Sequence, residues 1–93
     1  MEKEISLKSN IKINEDVVSR NLQGEMVLLN LKTNLYCGLD GMGARMWTLI
    51  SKHKSLCNVL DELMKEYDVP ESQCTKDLLN FVCMLKENEL IEI

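Results

Sequence analysis

The chain has 93 residues, 45% of them hydrophobic and 28% charged, with a formal net charge of −4. A chain this short makes one domain around one core, and its composition is that of neither disordered nor membrane-spanning chains. The acidic balance, weighted toward the carboxyl-terminal half, repels a phosphate backbone, so neither nucleic acid nor a membrane is expected as a partner.

Residues 1–10 scatter charges around Ile5 and Leu7 without a period and read as a flexible or loosely docked lead-in to a single domain over 11–93. Met1 to Glu4 lack a signal-peptide pattern, so the cytoplasm is the expected compartment. Ile11 and Ile13 alternate, Val17 and Val18 follow, and Gln23-Gly24 punctuates the run before Glu25 to Leu31. This predicts two strands joined by a hairpin. Lys32-Thr33-Asn34 is a polar turn into a short third strand, Leu35 to Leu39. On it Leu35, Cys37 and Leu39 share one face, and Tyr36 and Gly38 the other.

Asp40 is a preferred helix cap, and Met42, Met46, Leu49 and Ile50, with Gly43 and Trp47 beside them, give residues 41–51 one apolar face. Lys52 to Ser55 form a polar break, and Ser55 is placed to cap a second helix. That helix carries Leu56, Val59, Leu60, Leu63, Met64 and Tyr67 at helical spacing. Pro70 ends it, because its ring removes a donor and disfavours helical geometry at Val69. A third helix over Glu71 to Asn88 sets Cys74, Leu78, Phe81, Val82 and Leu85 on one face, and Leu90 to Ile93 close against the body. The expected fold is α+β: a three-stranded antiparallel sheet at the amino terminus followed by three helices.

Catalytic chemistry has few candidates. His53 is the one histidine and falls in the polar break, where an exposed, solvated ring is expected. Cys37, Cys57, Cys74 and Cys83 form no CxxC pair and are expected to be reduced. Cys37, Cys57 and Cys74 lie beside apolar residues and read as small packing groups. Gly38, Gly41 and Gly43 lack the spacing of a nucleotide loop. No cofactor, metal site or catalytic residue is expected.

What the sequence has in excess is binding surface. Leu79, Cys83 and Met84 lie outside the core stripe of the third helix, so its apolar arc is wider than one contact requires. The surplus is covered either by the domain itself or by a partner. A three-stranded sheet must also leave an edge, which can accept an extended peptide as a further strand.

Gly24 with Val27-Leu28-Leu29, Leu35-Tyr36-Cys37-Gly38-Leu39-Asp40, Gly43-Ala44-Arg45-Met46-Trp47, Asp77, Phe81-Val82, Leu85 and Leu90-Ile91 together resemble the PQQ-biosynthesis protein D family, also called the RiPP precursor recognition element. The resemblance covers roughly residues 15–93 and is nearest to the free-standing recognition proteins of lasso-peptide clusters. Cys37 departs from the pattern, where a second aromatic or similar residue is expected.

The resemblance implies a winged-helix-like domain that binds the leader of a precursor peptide and performs no reaction itself. The leader would add to the third strand at Leu35, Tyr36, Cys37 and Gly38, and pack on the third helix at Asp77, Leu78, Phe81 and Met84. The implied partners are the precursor peptide and a maturation enzyme such as a leader peptidase, followed by a cyclase. A radical-SAM enzyme of quinone-cofactor or related peptide maturation is the alternative partner. A winged-helix DNA-binding regulator shares the helix order, but the charge and a third helix with little beyond Lys76 and Lys86 disfavour it.

Overall fold

A computed structural model describes residues 5–23, 25–39 and 41–92. The expected roles of Gly24 in the hairpin, Asp40 as a cap and Ile93 against the body fall outside these residues, as do positions 1–4 of the lead-in. The elements run β1 (Lys12–Ile13), β2 (Val17–Leu22), β3 (Glu25–Asn30), β4 (Tyr36–Leu39), α1 (Gly41–His53), α2 (Leu56–Glu66), α3 (Glu71–Glu87) and β5 (Ile91–Glu92). The α+β class and the order of a three-stranded antiparallel sheet, β2-β3-β4, before three helices match the sequence reading.

The start of the expected first strand differs. Lys12 and Ile13 leave the hairpin and pair antiparallel with Glu92 and Ile91, so β1 and β5 form a separate two-stranded clasp. The cause is a turn at Asn14, whose Oδ1 accepts the Asp16 amide at 3.0 Å while its carbonyl accepts the Val17 amide at 3.0 Å. An Asn that bonds its own backbone two residues on reverses the chain as a turn would. Ile11 is consequently buried, its amide donating to the Lys54 carbonyl, and Ile5 and Leu7 of the lead-in pack against the core.

In the larger sheet the register Leu28↔Cys37 and Met26↔Leu39 turns Met26, Leu28, Asn30, Cys37 and Leu39 toward the helices. Leu35 does not join them: it precedes β4 and is 57% exposed, against the expected grouping with Cys37 and Leu39. The β3–β4 turn takes it. Asn34 adopts φ 63°, a left-handed conformation that Asn tolerates, and the Leu35 amide is held by Thr33 Oγ1.

Trp47, Met46, Leu49 and Ile50 of α1 meet Leu56, Val59, Leu60 and Leu63 of α2 and Cys74, Leu78, Val82 and Leu85 of α3 in one core. α1 runs to His53, two residues past the expected end, until Lys54 turns to φ 64°. His53 is therefore a half-buried helical residue rather than a solvated loop residue, and its Nε2 is enclosed without a hydrogen-bond partner. Ser55 stands at the cap position of α2 in extended geometry, but its hydroxyl makes no cap bond.

α3 ends in a Schellman motif. The Leu90 amide donates to the Leu85 carbonyl at 2.9 Å and the Glu89 amide to the Lys86 carbonyl at 3.1 Å, with Leu90 and Leu85 both buried. The motif requires a left-handed residue at Glu89, φ 58°, a place that glycine usually fills. Relieving the side-chain clash outweighs the extra entropy glycine gives the unfolded chain. Glu89→Gly should therefore stabilise the protein by roughly 0.5–1 kcal/mol and raise Tm by about 2–6 °C in thermal unfolding.

Candidate functional site

Strand pairing alone decides which groups of β4 are free. The Asn30 amide donates to the Leu35 carbonyl at 2.9 Å, so Asn30 and Leu35 form a hydrogen-bonded pair. Such pairs alternate along an antiparallel ladder, which makes Leu28–Cys37 and Met26–Leu39 bonded as well, and Leu29–Tyr36 and Val27–Gly38 unbonded. The amides and carbonyls of Tyr36 and Gly38 therefore point away from β3. β4 is the end strand of its sheet, so these groups face an open edge, and the Tyr36 side chain beside them is 79% exposed.

The helix that flanks this edge is identified through Gly43. A methyl group built on Gly43 would lie 3.6 Å from Phe81 Cε1 and 3.9 Å from Leu39 Cδ2, so the Phe81 ring reaches the end of β4 across the first turn of α1. At the other end, Asn30, which opens the β3–β4 turn, donates its side-chain amide to the Glu89 carbonyl just past α3. The end of β4 thus lies toward Phe81, and the turn that precedes β4 lies toward the end of α3.

Phe81 on the β4 side fixes the orientation of α3. At 100° per residue Asp77 and Met84 fall on the same flank, both half-buried, whereas Leu79 and Cys83 lie on the other. Asp77 accepts a hydrogen bond from Gln73 Nε2 at 2.9 Å, one helical turn away. Leu78 is fully buried, so of the helix residues named from sequence it belongs to the core and presents no surface. Cys37 is half-buried against the core with its Sγ 3.9 Å from the Gly38 carbonyl. Tyr36 and Gly38 thus present the free backbone groups of β4, Phe81, Met84 and Asp77 share one flank of α3, and Leu35 is exposed just before the strand.

Gly43 is the residue that the sequence reading left out. The sequence places it beside the α1 stripe and within the family resemblance without a site role, but its missing side chain leaves room between Leu39 and Phe81. A glycine within the first turn of an otherwise apolar helix was the available signal.

The remaining chemistry lies elsewhere. Arg45 and Glu66 join α1 to α2 through a two-pronged pair, Nε to Oε1 at 2.7 Å and Nη2 to Oε2 at 2.5 Å. That hydrogen bonding holds the Glu66 carboxyl below its ordinary range. Its contribution is present at neutral pH and fades as pH falls through the lowered value. Among the described residues no group of three or more His, Cys, Asp or Glu side chains is arranged to hold a metal, and no helix is long and apolar enough to cross a membrane. The outer sheet face bears a shallow depression of about 270 Å³ lined by Val18, Ser19, Arg20, Leu22, Val27 and Leu29.

Comparison with known proteins gives a consistent picture. The family model for coenzyme PQQ synthesis protein D matches residues 25–91. Among solved structures the chain is similar to TbiB1 in complex with the TbiA(beta) leader peptide, with TM-score 0.83 and 38% identity over 87% of this chain and 94% of that one. It also shares its fold with a lasso peptide synthetase B1 complexed with the leader peptide, with TM-score 0.82 and 22% identity over 91% of this chain and 100% of that one. No curated protein matches the chain.

The four thiols differ in ways that labelling can read. Burial, with a smaller effect from Asp77, pushes the Cys74 thiol above its ordinary value, whereas Cys83 is exposed. Cys57 is also exposed, contrary to the packing role expected of it, and its Sγ lies 3.1 Å from the Leu7 carbonyl. Cys57 and Cys83 should react with a maleimide in the folded protein, and Cys74 only on unfolding. Mass spectrometry of timed samples reads the order.

Proposed function

Because the chain belongs to the coenzyme PQQ synthesis protein D family, we propose that it binds the leader segment of a ribosomal precursor peptide and presents it, without catalysing any step, to the enzymes of lasso-peptide maturation. The observation that carries this reading is the pair of unpaired residues Tyr36 and Gly38 on an edge strand flanked by Phe81. The likeness to TbiB1 and to a lasso peptide synthetase B1, both solved with a leader peptide, favours a lasso-peptide system over a radical-SAM partner.

The mechanism follows from the backbone. An extended peptide lying along β4 exchanges hydrogen bonds with the amides and carbonyls of Tyr36 and Gly38, which supply affinity independent of sequence. Alternate side chains of that peptide point toward α3, where Phe81 and Met84 offer apolar contact and Asp77 an acceptor for an amide or a basic group. The intervening side chains lie beside Tyr36 on the outer face. Leu35 and Cys37 border the same edge, and Leu78 supports Phe81 from within the core.

Holding the leader raises the effective concentration of the attached core peptide at a bound maturation enzyme such as the leader peptidase. No catalytic group is needed for that. The reaction partners act in the cytoplasm, where the precursor is translated, and the cyclase receives the core peptide after the leader is cut.

The test is fluorescence anisotropy of a fluorescein-labelled synthetic leader from the precursor encoded beside this chain. Saturable binding is expected, and none at concentrations on the order of tens of micromolar would sink the proposal. Phe81→Ala should weaken binding about tenfold or more, as removal of a buried aromatic anchor does. Tyr36→Pro should weaken it while sparing the sheet, since the Tyr36 amide makes no bond to β3 and proline is tolerated on an edge. Gly43→Leu should fill the gap below Phe81 and reduce affinity without unfolding α1. Unchanged affinity in all three folded variants would move the site elsewhere.

A further inference from the structure

Among the described residues Asn30 is the one buried polar residue of the core, 1% exposed, and each of its polar groups has a hydrogen-bond partner. Its Oδ1 accepts the amides of Lys32 at 2.9 Å and Thr33 at 3.2 Å, its carbonyl accepts the Asn34 amide at 2.8 Å, and its own amide donates to the Leu35 carbonyl. These bonds build the turn that delivers β4. The remaining group, Nδ2, donates to the Glu89 carbonyl at 2.9 Å, across 59 residues of sequence. Glu89 is the left-handed residue that closes α3.

One side chain therefore joins the turn before β4 to the end of α3. The turn it organises begins β4, and the carbonyl it grips follows directly on the helix that carries Phe81 and Met84. Asn14 Nδ2 also reaches the Glu89 carbonyl, at 3.2 Å, and its amide donates to the Leu90 carbonyl, so Asn14 ties the β1–β2 turn to the same end of α3; Asn30 alone ties that end to the turn before β4. A buried Asn bonded through its side-chain oxygen, its side-chain nitrogen and both backbone groups is costly to replace by a residue of other geometry.

We propose that Asn30 is a positioning residue for peptide capture: by joining the β3–β4 turn to the end of α3 it sets the separation of the β4 edge from Phe81 and Met84, and through it the affinity for an extended peptide. This rests on the reading of the β4 edge and the Phe81 flank of α3 as a leader-binding site. Asn30 itself lies beneath the surface and touches no peptide. Its effect comes from keeping the binding-competent spacing populated, since apparent affinity scales with the fraction of molecules in that state.

Asn30→Ser keeps an oxygen for the turn amides and lacks the reach to Glu89. With the fluorescein-labelled leader as probe, and at a temperature where the variant is folded by circular dichroism, affinity should fall roughly three- to tenfold, the range expected for one buried hydrogen bond. Val59→Ala, a cavity in α2 away from the β4 edge, supplies a destabilised control whose affinity should not change. A structural role alone would leave Asn30→Ser equal to that control.

The sharper readout is a double-mutant cycle with Phe81→Ala. Once the ring is gone the spacing of strand and helix matters less, so Asn30→Ser should cost clearly less in the Phe81→Ala background than in the unmodified protein. Equal fold-losses in both backgrounds, or none in either, would overturn the proposal. If Asn30→Ser does not fold, Asn30→Asp is read in the same cycle: it keeps the turn acceptor and sets an oxygen against the Glu89 carbonyl. Failure of the unmodified protein to bind the probe would instead remove the leader-binding reading, and weakening by Phe81→Ala with Asn30 silent would remove this inference alone.

Discussion

In a strand of four residues the alternation of an antiparallel ladder sends half of the backbone groups inward and half outward. β4 gives Cys37 and Leu39 to β3 and leaves Tyr36 and Gly38 facing out. Unpaired edge groups are ordinarily blunted by charge, proline or a covering element, because an open edge recruits other chains. β4 carries none of these. Its charge-free sequence Tyr-Cys-Gly-Leu ends near the Phe81 ring of α3, so under the proposed function what elsewhere is a hazard becomes a template. Three sets of contacts tie the surrounding elements together. α1 contributes the gap at Gly43, α2 braces α1 through Arg45 and Glu66, and the end of α3 is fastened to the β3–β4 turn through Asn30.

Much of this was legible in the sequence, for identifiable reasons. The helices were readable because Leu56, Val59, Leu60 and Leu63, and then Cys74, Leu78, Val82 and Leu85, recur at helical spacing, and all eight are buried. Helical angle alone groups Phe81 with Asp77 and Met84 on one flank of α3. That β4 ends near Phe81 was not legible, because it depends on a contact between residues 39, 43 and 81, and no local pattern encodes it.

The errors share a cause. Ile11 and Ile13 alternate as any strand does, and alternation does not name a partner, so their departure toward Ile91 and the helices was invisible. Leu35 has the parity of Cys37 and Leu39, but the left-handed Asn34 delays the strand by one residue and leaves Leu35 in the turn. His53 read as loop because polar neighbours surround it, yet the helix continues until Lys54 turns. Asn30 carried no functional signal, because asparagine before a turn is ordinary and only its bond to Glu89 distinguishes it.

The shortness of β4 has an evolutionary consequence. An edge of four residues can engage a peptide segment of about the same length, and only alternate side chains of that segment face α3. In the proposed complex, two or three positions then hold nearly all the information by which a leader is told from other peptides. The remaining residues are free to drift, so a gene duplication that alters one pocket residue and one leader position together would suffice to split one recognition pair into two.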